Sequence, residues 1–254
     1  MHEEEWGKTA DLSKMMNFLC GPRATLRRVA QVNEDGLAVQ DWRCCKTSER
    51  KLRLFGCACC RRIWQLLNDL DGRAIVESLE EGGDAPTLRR RLQDARERQA
   101  REPELPRREG DGAASVLWWL TSTADRFAEH TAEFTVEGAL AAPTPQGGVV
   151  PPRTVLRVSK EWQQVCDLLR DITNPFHSAK LDPTYRSDTV MRLAAASYEE
   201  RALPSGHLDP TRLAVLADGL EEAGSSDAEL LAHLRGPGPH VVGCWAVDIL
   251  LEKS

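Results

Sequence analysis

Ser48-Glu-Arg-Lys-Leu-Arg-Leu-Phe-Gly-Cys-Ala-Cys-Cys-Arg-Arg-Ile-Trp-Gln-Leu-Leu67 is the most strongly patterned stretch of the chain, and its period is helical. At 3.6 residues per turn Leu52, Phe55, Cys59, Ile63 and Leu66 fall on one stripe, and Leu54, Cys57, Trp64 and Leu67 widen it. Arg50, Lys51, Arg53, Arg61 and Arg62 fill much of the remaining surface. Small residues from Gly56 to Cys60 form a low waist that lets another helix approach closely. Thr47 or Ser48 offers an N-cap. The stretch reads as a central helix, 48–67, wrapped by others.

The flanking sequence carries the same period. Leu12, Met15, Met16 and Leu19 mark a short amphipathic helix capped by Asp11 or Ser13 and ended by Gly21-Pro22. A second short helix is expected over 24–32, closed by the turn residues 33–36, with an element of open type at 37–42. Ile75, Val76 and Leu79 give a helix over 73–81, and the Arg-rich segment 87–102 reads as a solvated helix. Val116, Leu117, Leu120, Ala124, Phe127 and Ala128 share one face of a long helix expected over 113–133. Further helices follow at 154–170, then from Asp182-Pro183 to about Arg201, then at 211–223, 228–235 and 241–252. Pro- and Gly-rich segments near 102–112 and 141–152 read as flexible loops. No segment alternates with period two. The expected fold is all-α: an irregular multi-helix bundle around the central helix, in a single domain over 1–254, with sub-lobes 1–101 and 113–254 as a finer division.

Three segments in order resemble a family. They are Glu49-Arg-Lys-Leu-Arg-Leu-Phe-Gly-Cys-Ala-Cys-Cys-Arg-Arg-Ile-Trp64, Leu168-Leu-Arg-Asp-Ile-Thr-Asn-Pro-Phe176 and Leu234-Arg-Gly-Pro-Gly-Pro-His-Val-Val-Gly-Cys-Trp-Ala-Val-Asp-Ile-Leu-Leu251. Together they are similar to a paralogous family abundant in planctomycete bacteria, and the stretch 213–223 also resembles the short repeat-companion domain of the same bacteria. The resemblance covers about half the chain, and the Pro-rich interruptions near 103–112 and 143–152 depart from it. It implies no activity and carries over no catalytic residue.

Composition narrows the classes. The chain has 254 residues, 41% of them hydrophobic and 28% charged, which suits a globular protein with a sizeable core. A net charge of −6 argues against a general nucleic-acid binder. No apolar run approaches the roughly 20 residues of a membrane helix, so no membrane partner is expected. The acidic start, Met-His-Glu-Glu-Glu-Trp6, lacks the pattern of a signal peptide, and a cytoplasmic location is the expectation. In that compartment the eight cysteines read as thiols or metal ligands, not disulfides.

The sharpest chemical pattern is a metal site. Cys57 and Cys60 share a helix face at i, i+3, and His240 and Cys244 stand at i, i+4, so the four would make a structural zinc set. The plainer alternative makes the cysteines small buried hydrophobes that let helices pack. Cys44-Cys45 lies between Arg43 and Lys46, a setting that lowers thiol pKa. A nucleophilic Cys59 or Cys244 would need His240 as base, with Asp248 the nearest carboxylate. His130 and Glu133 form half of a carboxylate-bridged dimetal pattern whose second half is missing. Trp118, Trp119, Arg61 and Arg62 are the candidate partner-binding residues, and another protein is the expected partner. The expectation is a non-catalytic helical binding or scaffold module without catalytic residues or a required cofactor. The alternative is a zinc-stabilised or thiol-dependent enzyme.

Overall fold

The computed structural model describes residues 1–21, 45–67, 70–101, 111–122, 128, 130–133, 135–136, 155–177 and 181–253. The readings over 24–42, the loop over 141–152, most of the loop over 102–112, and Cys44 lie outside these residues.

The fold is all-α. Its helices are α1 (Glu3–Lys8), α2 (Leu12–Cys20), α3 (Glu49–Arg62), α4 (Leu70–Glu80), α5 (Ala85–Arg101), α6 (Asp111–Leu120), α7 (Val155–Ile172), α8 (Asp188–Glu199), α9 (Pro210–Glu222), α10 (Ala228–Leu234) and α11 (Trp245–Leu250), with 3-10 turns at Trp64–Leu66 and Pro183–Tyr185. Among the described residues the only non-helical pairings are isolated bridges of His207 with Ala202 and with Val241. The chain divides into two compact units, Met1–Cys166 and Asp167–Ser254, with the boundary inside α7.

In the first unit the central helix behaves as its sequence implies. Ser48 caps it, its hydroxyl accepting from Lys51 N at 3.3 Å. Every residue from Leu52 to Arg61 is buried. Cys57, Cys60, Ile63 and Leu67 join Ile75, Val76 and Leu79 of α4, Ala85, Leu88 and Leu92 of α5, and Val116, Leu117 and Leu120 of α6 in one apolar core. Gly56 is the close-approach point, since a Cβ there would meet Leu120 Cδ1 at 2.6 Å. Two arginines enter this interior with partners. Arg53 pairs with Glu49 at 2.7 Å and donates to the Leu120 carbonyl, and Arg61 grips Glu80 with Nε and Nη2 at 2.8 and 2.7 Å.

Several boundaries differ from the sequence reading. The helix expected over 113–133 stops at Leu120, and the Thr121 hydroxyl bonds the Leu117 carbonyl at 2.9 Å; helical structure resumes among the described residues at 128, 130–133 and 135–136. Asp182-Pro183 opens only a 3-10 turn, and α8 starts six residues later under its own cap, Ser187 Oγ accepting from Val190 N at 3.3 Å. The last helix starts at Trp245 instead of Val241, because Gly243 takes a φ of +94° that no right-handed helix accepts. Segment 87–101 is indeed helical, but Leu88 and Leu92 are buried at 4% and 5% exposure, so one face packs.

The second unit wraps α8, α9, α10 and α11 around Val190, Ala194, Leu213, Leu216, Leu220, Leu230, Leu234, Trp245 and Leu250. Asp209 and Asp227 cap α9 and α10 through Thr211 N and Leu230 N at 2.8 and 3.0 Å. The short helices α10 and α11 gain their order from the shared apolar core, since seven and six residues are too few for a stable isolated helix.

Candidate metal centre

The second unit encloses a cluster of polar groups assembled from three places. Asp171 lies in the last turn of α7, and His233 in the last turn of α10. His240 and Cys244 come from the turn between α10 and α11, where Cys244 is the residue preceding the helix. One ligand atom from each of the four lies within 4.8 Å of all the others. Asp171, His240 and Cys244 are 3%, 4% and 0% exposed.

Local structure explains the convergence. Gly238, at φ +81°, folds the chain so tightly that a Cβ there would meet His240 N at 2.8 Å. The His240 carbonyl accepts from Leu208 N at 2.8 Å, which fixes the backbone on the other side. Asn174 ends α7 by accepting from the N–H groups of Phe176 and His177 at 3.1 and 3.2 Å, an Asx turn that brings His177 to Asp227 at 2.8 Å. The ring of Trp245 then stands between His177 and His233, with centroids 4.7 and 4.8 Å away.

Asp171 is the hub. Its Oδ1 accepts from His240 Nδ1 at 2.7 Å and His233 Nε2 at 3.1 Å, and its Oδ2 accepts from Val241 N at 2.8 Å. Burial works against its charge, but the hydrogen bonds of the two histidines and the charge of His240 outweigh burial and hold the carboxyl below its ordinary range. Both nitrogens of His240 face acceptors, Asp171 Oδ1 and the Gly236 carbonyl at 3.2 Å, so the ring carries two protons. Burial opposes that cation too, yet the Asp171 contact prevails and its pKa is raised.

His233 has the opposite arrangement. The indole N–H of Trp245 donates to its Nδ1 at 3.2 Å, and an indole nitrogen can only donate. The ring is therefore neutral with its proton on Nε2, shared between Asp171 Oδ1 and Cys244 Sγ at 3.2 Å. Burial, then the Asp171 charge, push the Cys244 thiol well above its ordinary pKa. Next to this cluster, the Tyr198 hydroxyl donates to Asp248 Oδ1 at 2.7 Å and accepts from Gly243 N at 3.2 Å, tying α8 to the same turn.

The sequence reading joined His240 and Cys244 to Cys57 and Cys60. The structure gathers His240 and Cys244 with Asp171 and His233. Cys57 and Cys60 belong to the first unit's apolar core, where Cys57 Sγ lies 3.8 Å from the Val76 carbonyl. Burial raises both thiols, and lifts Cys59 to about 12, as expected of packing residues. Asp248, the carboxylate closest to Cys244 in sequence, engages Tyr198. His130 bonds Glu133 at 3.0 Å.

The partner-binding candidates are engaged within the chain. Arg61 is held by Glu80 and lies over the Trp64 ring at 4.4 Å, while Arg62 pairs with Glu161 and donates to Gln164 at 2.6 Å. Trp118 and Trp119 are half-buried, with the Arg89 guanidinium 3.6 Å over the first and the His130 ring 4.3 Å from the second.

Asp171 and His233 were missed by the sequence reading. The signal for Asp171 is a charge beside the buried residues Leu168, Leu169 and Ile172; the signal for His233 is its place seven residues before His240. No family model matches the chain, and no curated protein or solved structure gives a significant match.

Proposed function

We propose that the protein is a non-catalytic helical binding or scaffold module, and that the polar centre of the second unit is a structural fastening within it. One observation carries this reading: the centre offers neither a nucleophile nor a base. Cys244 is wholly buried and holds its proton. A base must accept a proton, but the lone pair of His233 is occupied by the Trp245 N–H and His240 has none to give. In a cysteine–histidine–carboxylate triad the two histidine nitrogens serve different partners; here Nε2 of His233 meets both Asp171 and Cys244. The thiol-dependent reading is the weaker one on this geometry.

Another protein is the partner we propose, with Trp118 and Trp119 as the contact residues. Both remain half-buried under a cationic or aromatic neighbour, a setting in which large amphipathic rings serve as anchors. Arg61 and Arg62 are better assigned to the interior, where their acids hold them. Kinship with the planctomycete family remains a proposal resting on the three motifs.

The test is thiol reactivity in the native, chelator-treated chain at neutral pH. Cys244 is expected to resist iodoacetamide until the protein is denatured. Alkylation of Cys244 faster than free cysteine would overturn the non-catalytic reading.

A further inference from the structure

We propose that Asp171, His233, His240 and Cys244 bind one zinc-class divalent cation in a closed, four-ligand structural site. The donor set is the first argument: one carboxylate, two imidazoles and one thiolate are all ligands of this ion class, and four protein ligands fill a tetrahedron with no position left for substrate. Charge is the second. Carboxylate and thiolate together neutralise a divalent ion, so the loaded centre is uncharged in a place where an unbalanced charge would be strongly disfavoured.

The surrounding groups are the third argument, and they are specific. A ligating carboxylate is ordinarily held through its other oxygen, and Asp171 Oδ2 accepts from Val241 N at 2.8 Å. A ligating imidazole ordinarily donates its other N–H, and His240, binding through Nδ1, would keep Nε2 on the Gly236 carbonyl at 3.2 Å. The backbone N–H groups of Ala246 and Val247 hydrogen-bond Cys244, and so favour its anion. Tetrahedral bonds of ordinary length put ligand atoms roughly 3.3–3.7 Å apart. The Asp171–His240 separation of 2.7 Å therefore needs to open by roughly 0.6–1 Å, and the Asp171–His233 and His233–Cys244 separations of 3.1 and 3.2 Å by roughly 0.1–0.6 Å.

His233 is the ligand that must rearrange. To bind through Nε2 it moves its proton to Nδ1 and gives up the indole hydrogen bond of Trp245. The proton balance follows: the thiol of Cys244 and the imidazolium of His240 each release one proton, His233 releases none, and binding expels two protons per ion. The proposal goes beyond the non-catalytic reading, and the thiol test above, done with chelator present, can fail or succeed independently of it.

The experiment uses the full chain, purified without a metal-affinity column, stripped with chelator and titrated with zinc and with cobalt(II). One equivalent is expected to bind, with a tetrahedral cobalt spectrum, a thiolate-to-cobalt charge-transfer band, and two protons released per ion by calorimetry in buffers of different ionisation enthalpy. Cys244→Ser should abolish the charge-transfer band and weaken binding on the order of 100-fold. The Cys57→Ser/Cys60→Ser double variant should leave both unchanged. Failure of the wild-type chain to bind either metal overturns the proposal whether or not a variant folds. So does a site lost with Cys57 and Cys60 but retained in Cys244→Ser.

Discussion

The Trp245 indole N–H points at Nδ1 of His233, 3.2 Å away, and this contact sets the tautomer of that ring. It leaves Nε2 of His233 as a donor to Asp171 and Cys244, which makes Asp171 the sole full anion and His240 the sole full cation of the four. A buried, hydrogen-bonded pair of that kind fastens the 236–244 turn to the ends of α7 and α10.

Replacing Trp245 by Phe removes the indole donor to Nδ1 of His233 while keeping much of the apolar volume. The metal-free protein is expected to lose about 1–3 kcal/mol from the lost hydrogen bond and the smaller ring. Zinc binding is expected to tighten, because His233 no longer surrenders a hydrogen bond on ligation. Urea unfolding and a competitive zinc titration measure the two effects, and weaker zinc binding in the variant would count against the assigned tautomer.

Asp171→Asn tests the hub. The amide keeps the shape but leaves His240 without its anion and turns an N–H₂ toward donors. A loss of roughly 3–5 kcal/mol is expected in the metal-free chain. A change below about 1 kcal/mol would mean that the pair does little for the fold.

The pH dependence separates the two states of the centre. Asp171 has a lowered folded pKa, so its contribution is present above the unfolded value of about 3.9 and lost as pH falls through the folded one. His240 has a raised folded pKa, so its contribution is complete below the unfolded value of about 6.5 and lost as pH rises through the folded one. The stripped protein, compared with Asp171→Asn, should therefore gain most from the pair at about pH 4–6.5 and less at about pH 8. The zinc-loaded protein should show the reverse, since the ligands must shed protons to bind. Denaturation midpoints at the two pH values decide between them.

In the first unit, Gly56→Ala places a methyl against Leu120 Cδ1. About 1–3 kcal/mol of destabilisation is expected, less where Leu120 changes rotamer. Combining it with Leu120→Ala should cost less than the sum of the two single changes, a coupling readable in a double-mutant cycle. Strict additivity would show that the close approach of α3 and α6 is not what demands glycine.

Much of the fold was legible because burial writes a period into the chain. The stripe through Leu52, Phe55, Cys59 and Ile63 and the caps Ser48, Asp209 and Asp227 mark real helices. What escaped was decided by short-range competition. α6 stops at Leu120 and the φ of Gly243 delays α11, and neither interrupts the apolar pattern. The centre was half legible. His240 and Cys244 stand out at i, i+4, but their companions come from positions 171 and 233, joined to them only by the tertiary fold. Cys57 and Cys60 have ligand spacing and yet serve as packing, because ligand spacing on a helix and small-residue spacing on a helix are the same spacing.

The most direct measurement is nitrogen-15 NMR of the histidine side chains in the stripped chain and again after one equivalent of zinc. Without metal, His233 should appear as the neutral Nε2–H tautomer and His240 as the doubly protonated ring. With zinc, His233 should switch to the Nδ1–H form bound through Nε2, and His240 should become neutral and bound through Nδ1. A cationic or Nδ1–H His233 in the stripped protein, or spectra that zinc leaves unchanged, would contradict the buried Asp171–His233–His240–Cys244 centre as a metal site.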